Sequence, residues 1–162
     1  RPPRSTLFPY TTLFRSEEDE AFQKIKDGFT VNYMQMRDGS KGRVMWEVKS
    51  WDLKKANHTE NITKDLLKCK IITRNINFSS KEAIEDLELV QNFYLMGELF
   101  ESSKFKFGFV IPNSTNDWEQ IIMAKEDGVL PAEVLSGKLK VETYFLVKGK
   151  VLYKNKILIY YV

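Results

Sequence analysis

Apolar side chains recur at every second position in stretch after stretch of this chain, and that period admits little besides β-structure. Phe105, Phe107, Phe109 and Ile111 fall on one side of a strand, before the chain turns polar at Pro112-Asn113-Ser114-Thr115-Asn116. Phe29, Val31 and Tyr33 share one side of residues 29–37, and Asn32, Met34 and Met36 share the other. Asp38-Gly39-Ser40 is a turn signal leading to a hairpin partner at 43–48. Further extended segments are expected at 66–78, 87–99, 139–147, 151–154 and 156–162, with a polar, loop-rich stretch at 49–65. Helical signals are few and short. Glu17–Asp27 reads as a helix with Phe22, Ile25 and Phe29 on its buried side and Gly28 as its cap. The acidic run Glu17, Glu18, Asp19, Glu20 suits the N-terminus of that helix. Ser79 and Glu82 carry a capping-box pattern that predicts a brief helix. Thr115 or Asn116 is expected to cap another, with Trp118, Ile121 and Ile122 inside, and Pro131 to start a turn of helix ended by Gly137. Many short strands and few helices predict an all-β fold, an antiparallel β-sandwich with a short N-terminal helix.

A length of 162 residues favours one domain, and 43% hydrophobic residues suffice for a core. No apolar run approaches the ~20 residues of a transmembrane helix. The formal charge of +3 is a property of the first sixteen residues, RPPRSTLFPYTTLFRS, whose Arg1, Arg4 and Arg15 account for all of it. The basic balance is therefore no argument for nucleic acid. That segment repeats Thr-Leu-Phe and resembles a translated adapter tail; its arginine-rich, acid-free composition also suits a transit peptide. Residues 1–16 are set aside as a non-native leader and 17–162 read as a single domain. Cys69 is the sole cysteine, so no internal disulfide forms, which fits a reducing, cytoplasmic setting. Sequons begin at Asn57, Asn61, Asn77 and Asn113, but without a signal peptide they read as chance.

The alternation breaks in an informative way. Arg74 shares the apolar parity of Ile72, Ile76 and Phe78. Gln91 shares that of Leu87, Leu89, Phe93 and Leu95. Thr143 falls among Leu139, Val141, Phe145 and Val147, and Tyr161 follows Ile157 and Ile159. A buried arginine without a partner is unfavourable by several kcal/mol. Either Arg74 meets an acid or emerges into water, or the sandwich is unfilled and these polar tips hold the head of an apolar guest. Met34 and Met36 suit a packed core or an adaptable binding surface alike.

Catalytic signatures are missing. His58 is the single histidine and reads as a solvated loop residue; no His/Cys cluster has metal-ligand spacing, so no cofactor is expected. There is no Gly-rich phosphate loop and no Gly-x-Ser-x-Gly elbow. Glu85, Asp86 and Glu88 read as a wet face, weak evidence for paired-carboxylate chemistry. The expectation is a protein that is not an enzyme.

Five segments carry a resemblance: GFVIPNSTNDW at 108–118, LKCK at 67–70, the pattern from Arg74 to Ser80 ending in NFSS, LPAEVLSG at 130–137, and the terminal Tyr161-Val162. In this order and spacing, residues 28–162 resemble the prenyl-binding family named for the delta subunit of rod cyclic-GMP phosphodiesterase. The resemblance implies an immunoglobulin-like sandwich of two antiparallel sheets with a hydrophobic slot between them. It implies carriage of farnesylated or geranylgeranylated proteins, small GTPases among them, through the cytosol and towards the cilium. Release would be triggered when a GTP-loaded Arf-like GTPase docks on an edge strand. By position, the implied slot is lined by Met34, Met36, Trp46, Leu53, Ile62, Leu66, Cys69, Ile72 and Ile76, then by Ile122, Ala124, Leu130, Leu135, Val141, Phe145, Ile157 and Ile159. Arg74, Gln91 and Tyr161 match the polar positions of the family pocket, with Thr143 beside them and Glu101 near the mouth; Arg74 and Gln91 would meet the carbonyls of the lipidated cysteine.

Ser103 stands where the family usually has a tryptophan near the entrance, and Val129 where a methionine is common; residues 47–61 do not align without shifts. These departures bear on chain-length preference. A myristoyl or other acyl carrier on the same fold, and a non-lipid interaction module with a packed core, are the alternative readings. A monomer is expected, with membrane contact only through cargo.

Overall fold

The computed structural model describes residues 16–124 and 130–162. The leader up to residue 15 and Val129 lie outside the described residues. Helix α1 (Glu17–Gly28) begins at Ser16, whose hydroxyl accepts from the Asp19 amide at 3.1 Å, and its acidic first turn complements the helix dipole. Nine strands follow among the described residues: β1 (Phe29–Asp38), β2 (Val44–Val48), β3 (Asn57–Ile62), β4 (Ile71–Ser80), β5 (Ile84–Leu95), β6 (Glu98–Val110), β7 (Ser114–Met123), β8 (Leu139–Val147) and β9 (Lys150–Tyr161). A 3-10 helix spans Lys64–Lys68, and a single turn, α2 (Ala132–Leu135), follows Pro131 as the sequence predicts.

The strands form two sheets, in the orders β2-β1-β4-β7 and β3-β9-β8-β5-β6. This is the expected sandwich. Its pairs are antiparallel apart from β3, which runs parallel to β9 from Asn57↔Lys156 to Ile62↔Tyr161. The stretch expected to be loop between 49 and 65 thus supplies an edge strand, and the extended segment begins at Ile71 rather than 66. His58 is correspondingly not a solvated residue. It is 8% exposed, stacked on Trp51 at 3.9 Å, and its Nε2 lies 3.1 and 3.0 Å from the carbonyls of Asp52 and Lys55, which places the proton on that nitrogen.

Two expected helices are strand instead. β7 pairs with β4 over ten positions, from Ile71↔Met123 to Ser80↔Ser114, so Thr115 and Asn116 cap nothing. A strand cannot bury both Ile121 and Ile122. It buries Trp118 and Gln120 and turns Ile121 outward. The Ser79–Glu82 pattern also opens no helix: the Ser79 hydroxyl bonds Thr115, and the Ser80 hydroxyl donates to the Glu82 carbonyl. Glu88 is buried, not wet, because Lys104 and Lys106 of the neighbouring strand close over it at 3.1 and 3.9 Å. β9 is continuous where two strands were expected. Asn155, at their junction, is buried and donates to the Leu53 and Lys55 carbonyls, holding the β2–β3 connection against the sheet.

Bulges decide which faces look inward. A register shift between Val31 and Tyr33 reverses the parity of β1. Phe29 and Val31 are buried before it and Met34 after it, while Tyr33 points out to Asp117. In β6, Phe107 and Gly108 together oppose Leu87. Gly108 has φ +95, a conformation open to glycine, so Val110 is fully buried and Phe109 is 59% exposed. Of the four rings and branches that alternation aligned, only Phe105 and Phe107 face inward.

The interior has two parts. At the α1 end, Phe29, Phe78, Ile84, Leu87, Leu89, Phe145 and Tyr153 form a packed core that Phe22 and Ile25 of α1 seal. Tyr153 adds a bond from its hydroxyl to the Lys26 carbonyl at 2.9 Å. At the opposite end, Ile62, Leu66, Leu135, Leu139, Val141 and Ile159 form a second cluster. Each fully buried side chain of this size contributes about 1.5–3 kcal/mol.

Candidate functional site: a slot behind a polar belt

Two neighbouring strands in each sheet change character at the boundary between these two clusters. Along β4 the inward residues run Ile72, Arg74, Ile76; along β5, Leu89, Gln91, Phe93; along β7, Trp118, Gln120, Ile122; along β8, Val141, Thr143, Phe145. The middle residue of each set is polar and buried. Arg74 Nε donates to Gln120 Oε1 at 2.6 Å and Nη1 to Gln91 Oε1 at 2.6 Å; Gln91 Nε2 donates to Thr143 Oγ1 at 3.1 Å. The Phe105 ring covers the guanidinium at 5.2 Å from Cζ. The belt thus crosses from one sheet to the other.

Arg74 is 7% exposed and none of its hydrogen-bond acceptors is a carboxylate. Burial pulls its pKa down to about 10, so it remains a cation near neutrality. Its Nη2 is buried and has no hydrogen-bond partner among the described residues, and the same holds for Gln120 Nε2. A guanidinium held rigidly through two nitrogens, with a third donor unmet, is prepared for an acceptor.

Above the belt lies a cavity of about 380 Å³. Of the residues singled out in the sequence, the structure places Met34, Met36, Trp46, Ile62, Leu66, Cys69, Ile72, Arg74, Gln91, Glu101, Ile122, Ala124, Leu130, Leu135, Val141, Ile157, Ile159 and Tyr161 around it. Leu53, Ile76 and Phe145 lie in the packed core instead, and Thr143 stands behind Gln91 in the belt. The lining gains Trp51, Glu60, Leu67, Phe93, Phe100, Met123 and Leu139. Phe93 and Leu139 were legible as inward positions by alternation, whereas Trp51 and Glu60 belong to the stretch that reads as polar loop. Gln120 was hidden by the helical reading of β7.

The lining is apolar on both sides of Arg74. Ile72 and Ile122 lie towards the open end, and Met34 lies a step beyond, since Met36 pairs with Arg74 and Met34 with Ile76. At the mouth, Phe100, Met123 and Leu130 both line the cavity and reach solvent. Burial pushes the Tyr161 hydroxyl up to about 12, which keeps it a neutral donor. Cys69 is also raised, by burial first and then by the Asp38 carboxylate. Among the described residues no group of histidine, cysteine and carboxylates could hold a metal, and no helix is long and apolar enough to cross a membrane.

A sandwich closed by core at one end and opened into an apolar slot at the other, with a buried donor part-way along, has room and chemistry for an elongated apolar guest carrying an acceptor. A family model described as GMP-PDE, delta subunit matches residues 23–161. The chain belongs to that family.

Proposed function

We propose that this protein is a carrier rather than a catalyst: it takes the farnesyl or geranylgeranyl tail of prenylated proteins into the slot, solubilises them from membranes and moves them through the cytosol. The cavity above the belt is the observation that carries this reading, because it joins apolar walls to a buried cation with an unmet donor. In this reading the isoprenoid lies among Met34, Met36, Trp46, Val141 and Ile157, and the cysteine carbonyls meet Arg74 and Gln91. About fifteen carbons at ~0.8 kcal/mol per CH₂-sized group give roughly 10 kcal/mol of burial. Ordering the tail removes several of those, leaving a dissociation constant on the order of nanomolar to micromolar. A single lipid chain anchors only marginally, so extraction from a bilayer is feasible, and a second chain or polybasic patch opposes it.

Release follows by linkage. A GTP-loaded Arf-like GTPase that prefers the closed slot weakens cargo binding by the factor by which cargo weakens its own. The carrier acts as a monomer, in the cytoplasm and on the route to the cilium. The test is a fluorescence-polarisation titration with a farnesyl-cysteine methyl ester peptide, repeated with GTP- and GDP-loaded partner. Saturable binding that only the GTP form reverses is expected. Absence of saturable uptake rejects the carrier, and equal cargo off-rates under both nucleotides reject the release step. Tighter binding of a myristoylated peptide than a farnesylated one would move the assignment to an acyl carrier.

A further inference from the structure

An isoprenoid accounts for the apolar walls and its carbonyl end for Arg74, but neither explains Glu60. This residue occupies the middle of β3, between His58 and Ile62, which share its parity and are both buried. Alternation therefore turns it inward, where it lines the slot half-buried. Its carboxylate has no ion pair or hydrogen bond with any described residue. Glu101 lines the same slot from β6. The two carboxylates thus stand on opposite edges of the five-stranded sheet, while Arg74 projects from a central strand of the facing sheet. Arg74 is nearly inaccessible and both acids reach partly into water. The slot keeps its cation inside and shows carboxylates nearer the surface.

That order of charges has a direction. A lipidated cysteine whose carbonyl meets Arg74 must pass its preceding residues out along walls that end in acids. A lysine or arginine there gains a partner in a setting less screened than open water, and an acidic residue meets like charge. We propose that Glu60 is a specificity-determining residue that selects prenylated ends carrying a basic side chain directly before the modified cysteine; the inference rests on the carrier reading above. Glu60 pairs in register with Ile159, itself part of the slot wall, so its carboxylate sits along the guest's path. A purely structural role is the competing account, since an inward charge on an edge strand also discourages edge-to-edge pairing.

The experiment compares three farnesyl-cysteine methyl ester peptides that differ only in the preceding residue, Lys, Ala or Glu, on wild type, Glu60→Gln and Glu60→Lys. Wild type is expected to rank Lys over Ala over Glu, with about a tenfold spread at low ionic strength that shrinks with added salt. Glu60→Gln is expected to reduce the Lys-to-Glu ratio to about twofold, and Glu60→Lys to invert it. An unchanged ratio in Glu60→Gln, or self-association of that variant without loss of discrimination, overturns the assignment. Failure of the Ala peptide to bind wild type at all rejects the carrier reading, and this inference with it. Binding of the Ala peptide without charge discrimination rejects the role of Glu60 alone.

Discussion

Replacing Arg74 by methionine separates what the belt does for folding from what it does for a guest. The substitution removes two short bonds to neutral amides, each worth about 1.5–3 kcal/mol when one partner is charged, and orphans the Gln91 and Gln120 carbonyl oxygens. It also removes a buried cation whose pKa burial has pulled down from its ordinary value to about 10, a penalty of about 3 kcal/mol for staying charged. That penalty applies in full below pH ~10 and fades as pH rises above it, because the folded state favours the neutral form. The relieved penalty offsets part of the roughly 3–6 kcal/mol lost with the two bonds, and methionine fills comparable volume. Urea unfolding at pH 7 is therefore expected to place Arg74→Met within about 3 kcal/mol of wild type. Binding has no such cancellation. Losing the unmet charged donor of Arg74 should weaken a farnesyl-cysteine methyl ester peptide by about 10- to 100-fold, the value of a bond to a charged group. Polarisation titration measures it. A variant that loses 4 kcal/mol or more of stability yet binds as tightly as wild type would show Arg74 to be purely architectural, and the belt would lose its role in recognition.

Two further outcomes test the slot itself. Val141→Trp puts a ring into the cavity from β8; displacing about a third of an isoprenoid should weaken binding by about 10²–10³-fold, and unchanged affinity with a folded protein would reject the assigned walls. The raised pKa of Cys69 lowers its thiolate fraction at pH 8, so iodoacetamide should alkylate it more slowly than a free thiol, speeding up as pH rises, and saturating farnesyl peptide should slow it further. Alkylation indifferent to the peptide would place the guest elsewhere.

Much of this was present in the sequence. Period-two alternation determined an all-β sandwich, and the polar residues that interrupt it, Arg74, Gln91 and Thr143, mark three of the four belt positions, because parity within one strand is a local property. Other features belong to the tertiary structure. Whether Ser114–Met123 is helix or strand was settled by ten pairings with β4, which outweigh a local capping signal and bring Gln120 onto Arg74. The bulges after Val31 and at Gly108 reverse parity, and so decide that Met34 faces the slot and Phe109 faces water. Glu60 reaches the slot only because β3 joins β9 across a long separation in sequence, and Trp51 is held there by a bridge to Val31 of β1. Alternation tells which side chains share a face; whether two faces meet in contact or stand apart around a cavity depends on long-range packing, which no single strand encodes.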